Sequence, residues 1–130
     1  MAVEFGLVGL IFITLLLGAV DLARFQSVRQ SLRNVAEEAA RAAMIISSAA
    51  AVQGGGCVTP LTGEPLKLAV TTPVNPTPML SPALLELIAI CTPSAGGART
   101  VTVTANYPFD FVAPLLTVAP SLSATAALTY

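Results

Sequence analysis

The sequence predicts an α+β fold: a long N-terminal α-helix with an apolar half and an amphipathic half, followed by a small antiparallel β head. Three observations carry this expectation. No proline occurs before Pro60, although the chain contains ten. An apolar run at residues 3–20 leads without a break into apolar residues spaced three or four apart. Two later stretches, 99–107 and 121–130, alternate residue by residue between apolar and polar. The division falls at Gln53-Gly54-Gly55-Gly56, where glycine supplies a left-handed helix stop. This gives a membrane or assembly helix at 1–52 and a β-rich head at 53–130.

Composition excludes several function classes. The chain has 130 residues, of which 55% are hydrophobic and 10% charged, where globular proteins carry roughly a quarter charged. A net charge of −1 gives no electrostatic footprint for nucleic acid. There is no His, so the commonest general acid/base and metal ligand is missing. Ser and Thr are abundant, but none has a His partner to activate it. Glu64, Glu86 and Asp110 stand as separate carboxylates and read as solvated surface. The three glycines at 54–56 lack the strand before and the Lys-Ser/Thr after that a phosphate loop needs. The expectation is a protein that is not an enzyme and that holds no cofactor or metal.

The arm begins with VEFGLVGLIFITLLLGAV. From Phe5 to Val20 a helix rises roughly 24 Å, against ~30 Å of bilayer hydrocarbon. A cleaved secretory signal is the competing reading, but no Lys or Arg precedes the run and the helical pattern continues past it. Glu4 is its one charge. Either it lies at the headgroup surface and favours the positive helix N-terminus, or it pairs with a positive group in an assembly. Gly6, Gly9 and Gly18 permit close helix approach, or are merely tolerated in a membrane helix.

Beyond the run, Leu22, Phe25, Val28, Leu32, Val35, Ala39, Ala42 and Ile46 form a stripe of heptad type. Arg33, Glu37 and Arg41 are placed for i,i+4 pairs on the opposite side. A helix of ~70 Å is too long for a small head to cover. The head is therefore expected on the distal turns, with neighbouring helices on the rest. In the head, KLAVTT (67–72) reads as a strand. Ser81-Pro82 reads as a helix start ahead of a short helix at 83–90. RTVTVTANY (99–107) reads as a strand with Val101, Val103, Ala105 and Tyr107 on one face. Residues 72–82 and 109–120 are proline-interrupted loops or bent edges. SLSATAALTY (121–130) reads as a second strand. The sheet's apolar face is expected on the alanine-rich end of the helix.

Cys57 and Cys91 are the two cysteines. Beyond a membrane-type helix they suggest one disulfide in an oxidising compartment, the alternative being two buried thiols. Orientation is conflicted, because Arg24, Arg29, Arg33 and Arg41 follow the run and the positive-inside rule would keep the head cytoplasmic. A basic leader removed in processing resolves this.

The start AVEFGLVGLIFITLLLGAVDLARF, the continuation RQSLRNVAEEAARAA and the late VTVTANYPFDFVAPLL together resemble type IV pilin-like proteins, most closely the TadE-like pilins of tight-adherence systems. The resemblance implies a pilin-like fold and a subunit, major or minor, of an extracellular filament. It implies cleavage of a basic leader by a prepilin peptidase, storage in the bacterial inner membrane, and extrusion by pilus assembly machinery. The partners would be further copies of the chain and other pilins. Glu4 and Phe5 would serve assembly, with Glu4 neutralising an N-terminal amine, and Leu22, Phe25, Val28, Leu32, Val35 and Ala39 would pack helix on helix. The usual glutamate is the fifth mature residue and here it is the fourth, so the mature start lies one residue earlier or the cleavage spacing differs. The alternative function is a monomeric single-span envelope protein whose head binds a ligand or partner.

Overall fold

A computed structural model describes residues 2–52, 61–62, 64–71, 80–93, 97–112 and 120–130. Its dominant element is helix α1, Ala2–Val52, as the proline-free, alanine-rich arm predicts. The head supplies β1 (Leu61–Thr62), α2 (Glu64–Thr71), β2 (Glu86–Pro93), β3 (Arg99–Pro108) and β4 (Ser121–Thr129). The strands form one antiparallel sheet in the order β1-β2-β3-β4, so the fold is α+β as expected. The sheet and α2 both pack on α1.

The register turns sequence alternation into rows of side chains that are buried on β2 and β3 and mostly half-buried on β4. Across β2, β3 and β4 these are Cys91–Val101–Leu128, Ala89–Val103–Ala126 and Leu87–Ala105–Ala124, with Tyr107 beside Leu122. They meet Val28, Leu32, Val35, Ala36, Ala39, Ala40 and Ala43 of α1 in one core. The alanines leave no exposed surface, and their short side chains let the sheet lie close to the helix axis. The opposite face carries Thr100, Thr102 and Thr104 beside Thr129, Ala127 and Thr125. Thr100 and Thr129 share a hydroxyl–hydroxyl bond of 3.0 Å.

Two contacts show how the strands lie. Phe109, just after β3, packs on Phe25, and Tyr130, just after β4, shares a hydrogen bond with the buried Ser47. Phe25 and Ser47 are ~33 Å apart along the helix at ~1.5 Å per residue. The nine residues of β4 extend ~30 Å at ~3.4 Å per residue. The strands therefore run along α1, β4 in its direction and β3 against it. Main-chain bonds between Arg99 and Tyr130, 2.8 and 2.9 Å, close the distal end.

Two sequence expectations are corrected. KLAVTT is not a strand, because α2 runs through it to Thr71. Pro65 presets the first turn, and Leu66 and Val70, four apart, are both buried. A window opened at Lys67 omits Leu66 and hides that period. Residues 83–90 are not a helix either. Leu84 N–H donates to the Ser81 carbonyl at 3.1 Å, so Ser81-Pro82 opens a β-turn, where proline at the second position is equally at home. The chain then enters β2 with Leu87, Ala89 and Cys91 buried and Glu86 and Ile90 exposed. Cys91 thus lies within a strand rather than closing a helix. At the β2–β3 connection Gly97 adopts φ +86°, a left-handed conformation that favours glycine.

The core makes a stability prediction. Leu32 is 1% exposed and Leu22 is 60% exposed. Leu32→Ala should cost ~2–5 kcal/mol, and Leu22→Ala under ~0.5 kcal/mol. Chemical denaturation of the detergent-solubilised chain, followed by circular dichroism, measures the difference.

Candidate assembly site

The first part of α1 is left bare by the rest of the chain. Its apolar stretch is long and apolar enough to cross a membrane, with a mean hydropathy of 2.4 over eighteen residues and none of that window buried. Val3, Phe5, Leu10, Phe12 and Leu15 are all more than 60% exposed. Glu4 is also exposed, on the first turn of the helix. A Cβ built on Gly6, Gly9 or Gly18 meets nothing within 4 Å. The described part of the chain therefore has no steric use for these glycines.

The heptad stripe divides at one point. Leu22 stays exposed, whereas Val28, Leu32, Val35 and Ala39 are buried in the chain's own core and Phe25 packs against it. The head thus reaches further down the helix than its small size suggests, because its strands run lengthwise. On the outer side, the ion pair that forms is Glu38 with Arg41 at 3.3 Å, three residues apart. Among the described residues no pair links Glu37 to Arg33 or Arg41. Those three side chains instead edge an open groove of about 620 Å³ along β4.

The dividing point is built as a collar that the sequence reading missed. Asp21 is 5% exposed. Its Oδ1 accepts the Val112 N–H at 3.2 Å and lies 3.6 Å from Arg24 Nη1. Three of the chain's five phenylalanines meet beside it. Phe109 stands edge-on to both Phe25 and Phe111, at centroid distances of 5.5 and 5.1 Å, and Phe25 stacks with Phe111 at 6.4 Å. Each such pair adds ~0.5–1.5 kcal/mol beyond its burial. The Arg24 guanidinium lies 6.0 Å from the Phe109 centroid, at the limit of cation–π reach. The available signal was Phe109-Asp110-Phe111 after a strand, two aromatics placed to share one side and facing the sole aromatic of the amphipathic half.

Cys91 is buried on the inner face of β2; its predicted partner Cys57 lies outside the described residues, as do residues 72–79 and 113–119 of the predicted loops. Glu86 and Asp110 are exposed.

The collar yields a prediction. Asp21→Ala removes the charged acceptor of the part-buried Val112 N–H bond and should cost ~1.5–3 kcal/mol, while Asp21→Asn keeps an acceptor and should cost less. Thermal unfolding of the two variants tests the order.

A search of curated proteins and a search of solved structures each returned no match. The family model described as TadE-like protein matches residues 1–41, which takes in the bare apolar arm, the collar's Asp21, Arg24 and Phe25, and the first turns under the sheet. Over that N-terminal stretch, about a third of the chain, the sequence is similar to the TadE-like family.

Proposed function

We propose that the chain is a structural subunit, major or minor, of an extracellular Tad-type pilus, stored in the inner membrane and assembled by packing of N-terminal helices. The observation that carries this reading is the bare apolar surface of residues 3–20 on a helix whose remaining inner stripe is already filled. Such a surface needs lipid or other helices. A contact between copies that does not close into a ring propagates as a helical filament. Gly6, Gly9 and Gly18 suit close helix approach between copies. The role is structural rather than enzymatic. A prepilin peptidase, the assembly machinery and other pilins are the partners this role requires.

Glu4 is the assembly residue in this reading, with Phe5 beside it. A carboxylate inside an apolar helix bundle is stable only against a positive group, and a neighbouring subunit's N-terminal amine supplies one. Glu4→Ala should abolish surface filaments while the subunit stays at normal levels in the membrane. Electron microscopy of sheared filaments and immunoblotting of membranes check both halves; normal piliation would sink the role.

A second reading has a specific observation in its favour. The stripe from Phe25 to Ala39 is covered by the chain's own head, which suits a single-span protein that stands alone and offers its head to an envelope partner. A monodisperse monomer in detergent and no fibres by negative stain would favour it.

The Cys57–Cys91 disulfide belongs to the extracellular reading. Cys91 sits among packed side chains on β2, where a tether to residue 57 would hold the start of the head to the sheet. Alkylation under denaturing, non-reducing conditions should modify neither cysteine, and both after reduction. Mass spectrometry reads the difference.

A further inference from the structure

The collar lies where the apolar arm ends, and the surface next to it is apolar. Residues 3–20 rise ~27 Å along a helix, close to the ~30 Å of bilayer hydrocarbon. A span of that length sets Asp21 at the boundary on the head side. Val112 is held at that level by its bond to Asp21, and it is 67% exposed. Leu22, the residue after Asp21 on α1, is exposed, and Leu84 is 53% exposed in the turn before β2, at the same end of the sheet, since β2 begins opposite Asn106. Phe111, half-buried, backs the loop by stacking on Phe25.

We infer that the end of the head carrying Val112 and Leu84 is a lipid-docking surface, seated in the interface of a phospholipid bilayer while the subunit is stored. This rests on the membrane-stored state of the reading above. The occupant follows from position: the surface continues the apolar arm at the depth where hydrocarbon gives way to headgroups. The charged residues of the described segments at that end are Asp21, Glu86 and Asp110 against Arg24, so no basic cluster stands there among the described residues to draw anionic headgroups. Attachment is therefore by apolar side chains and is indifferent to anionic lipid. The two lipid contacts lie on separate chain segments, so the head stands upright with β3 and β4 running away from the membrane. Seated in this way, the head has no freedom to swing about Asp21.

The chain contains no tryptophan, so single reporters are unambiguous. Val112→Trp, Leu84→Trp and Thr129→Trp are each reconstituted as the full chain in phosphatidylcholine vesicles, with and without bromines near the carbonyl end of the acyl chains. Val112→Trp and Leu84→Trp should show blue-shifted emission that brominated lipid quenches, equally with or without added anionic lipid. Thr129→Trp, at the far end of the sheet, should emit as a water-exposed indole. If the chain co-floats with vesicles but Val112→Trp is unquenched, the arm spans and the docking surface is refuted. Equal quenching of Thr129→Trp would mean that the head lies flat, which also refutes it. A blue shift that resists brominated lipid and fades as protein is diluted would make the occupant a second copy, again refuting it. Failure to co-float would overturn the membrane-stored state itself.

Discussion

One helix has to satisfy two surroundings, and that constraint organises the molecule. Helix α1 carries an apolar surface all round its first turns and an apolar stripe along its later ones. A full surface is stable only in lipid or among other helices, whereas a stripe needs one partner layer. The change between the two is abrupt, and it falls at Asp21. There the chain spends a buried carboxylate, a cation and three aromatic rings on a junction. A buried carboxylate is costly to leave without donors. Its partners come from opposite sides, the Arg24 cation one turn along the same helix as an ion pair and the Val112 amide from the end of the head as a hydrogen-bond donor. The carboxylate thereby fastens the base of the head to a fixed height on the helix.

The lengthwise strands follow from the same constraint. A sheet laid across α1 would cover two or three turns and leave the rest of the stripe wet. Strands laid along it place successive inward residues over successive turns, so three strands cover the stretch from Phe25 to Ser47. The alanines at 39, 40 and 43 make that close layering feasible, because bulky residues there would lift the sheet and open voids. Tyr130 and Ser47 fasten the far end as the collar fastens the near one. A small head thus obtains most of its core from the helix that also carries the span, and the head's fold is inseparable from the distal half of the arm.

The parts legible in the sequence were those with a period longer than their noise. Helix α1 had unbroken length and no proline. β3 had four inward apolar residues alternating with polar ones, and β4 repeated the pattern, so both emerged with the correct inward faces. α2 and β2 were exchanged in type because each is short and locally ambiguous. Leu84, Leu85 and Ile88 fit a helical face as well as Leu87, Ala89 and Cys91 fit a strand. Only pairing with β3, a contact distant in sequence, decides between them. Ser81-Pro82 compounds the ambiguity, since the same dipeptide opens helices and turns. For the site, the bare arm and Glu4 were visible as hydropathy and an isolated charge. The collar was not, because its aromatic residues are more than eighty positions apart and its key bond runs from a side chain to a backbone amide.

The burial of the stripe relocates where subunit recognition must reside in a filament. Val28, Leu32, Val35 and Ala39 have a partner within the chain, so exposing them to a neighbour would cost the head its core. In a filament, the surfaces that the described residues leave for contacts between copies are the arm, Leu22, and the outside of the head, which includes the exposed Leu84, Ile90 and Val112. On the arm, added Cβ atoms at Gly6, Gly9 and Gly18 would meet nothing in the same chain. Any steric penalty for enlarging them must arise from a molecule that is not this one. Phe5, almost wholly exposed, is a knob of the kind that a hole on a neighbouring helix receives. In the proposed filament, the apolar surface that α1 offers a neighbour is thus concentrated in the first twenty-two residues. The heptad stripe behind them, although it has the period of a coiled coil, is used to pack the chain's own head on α1.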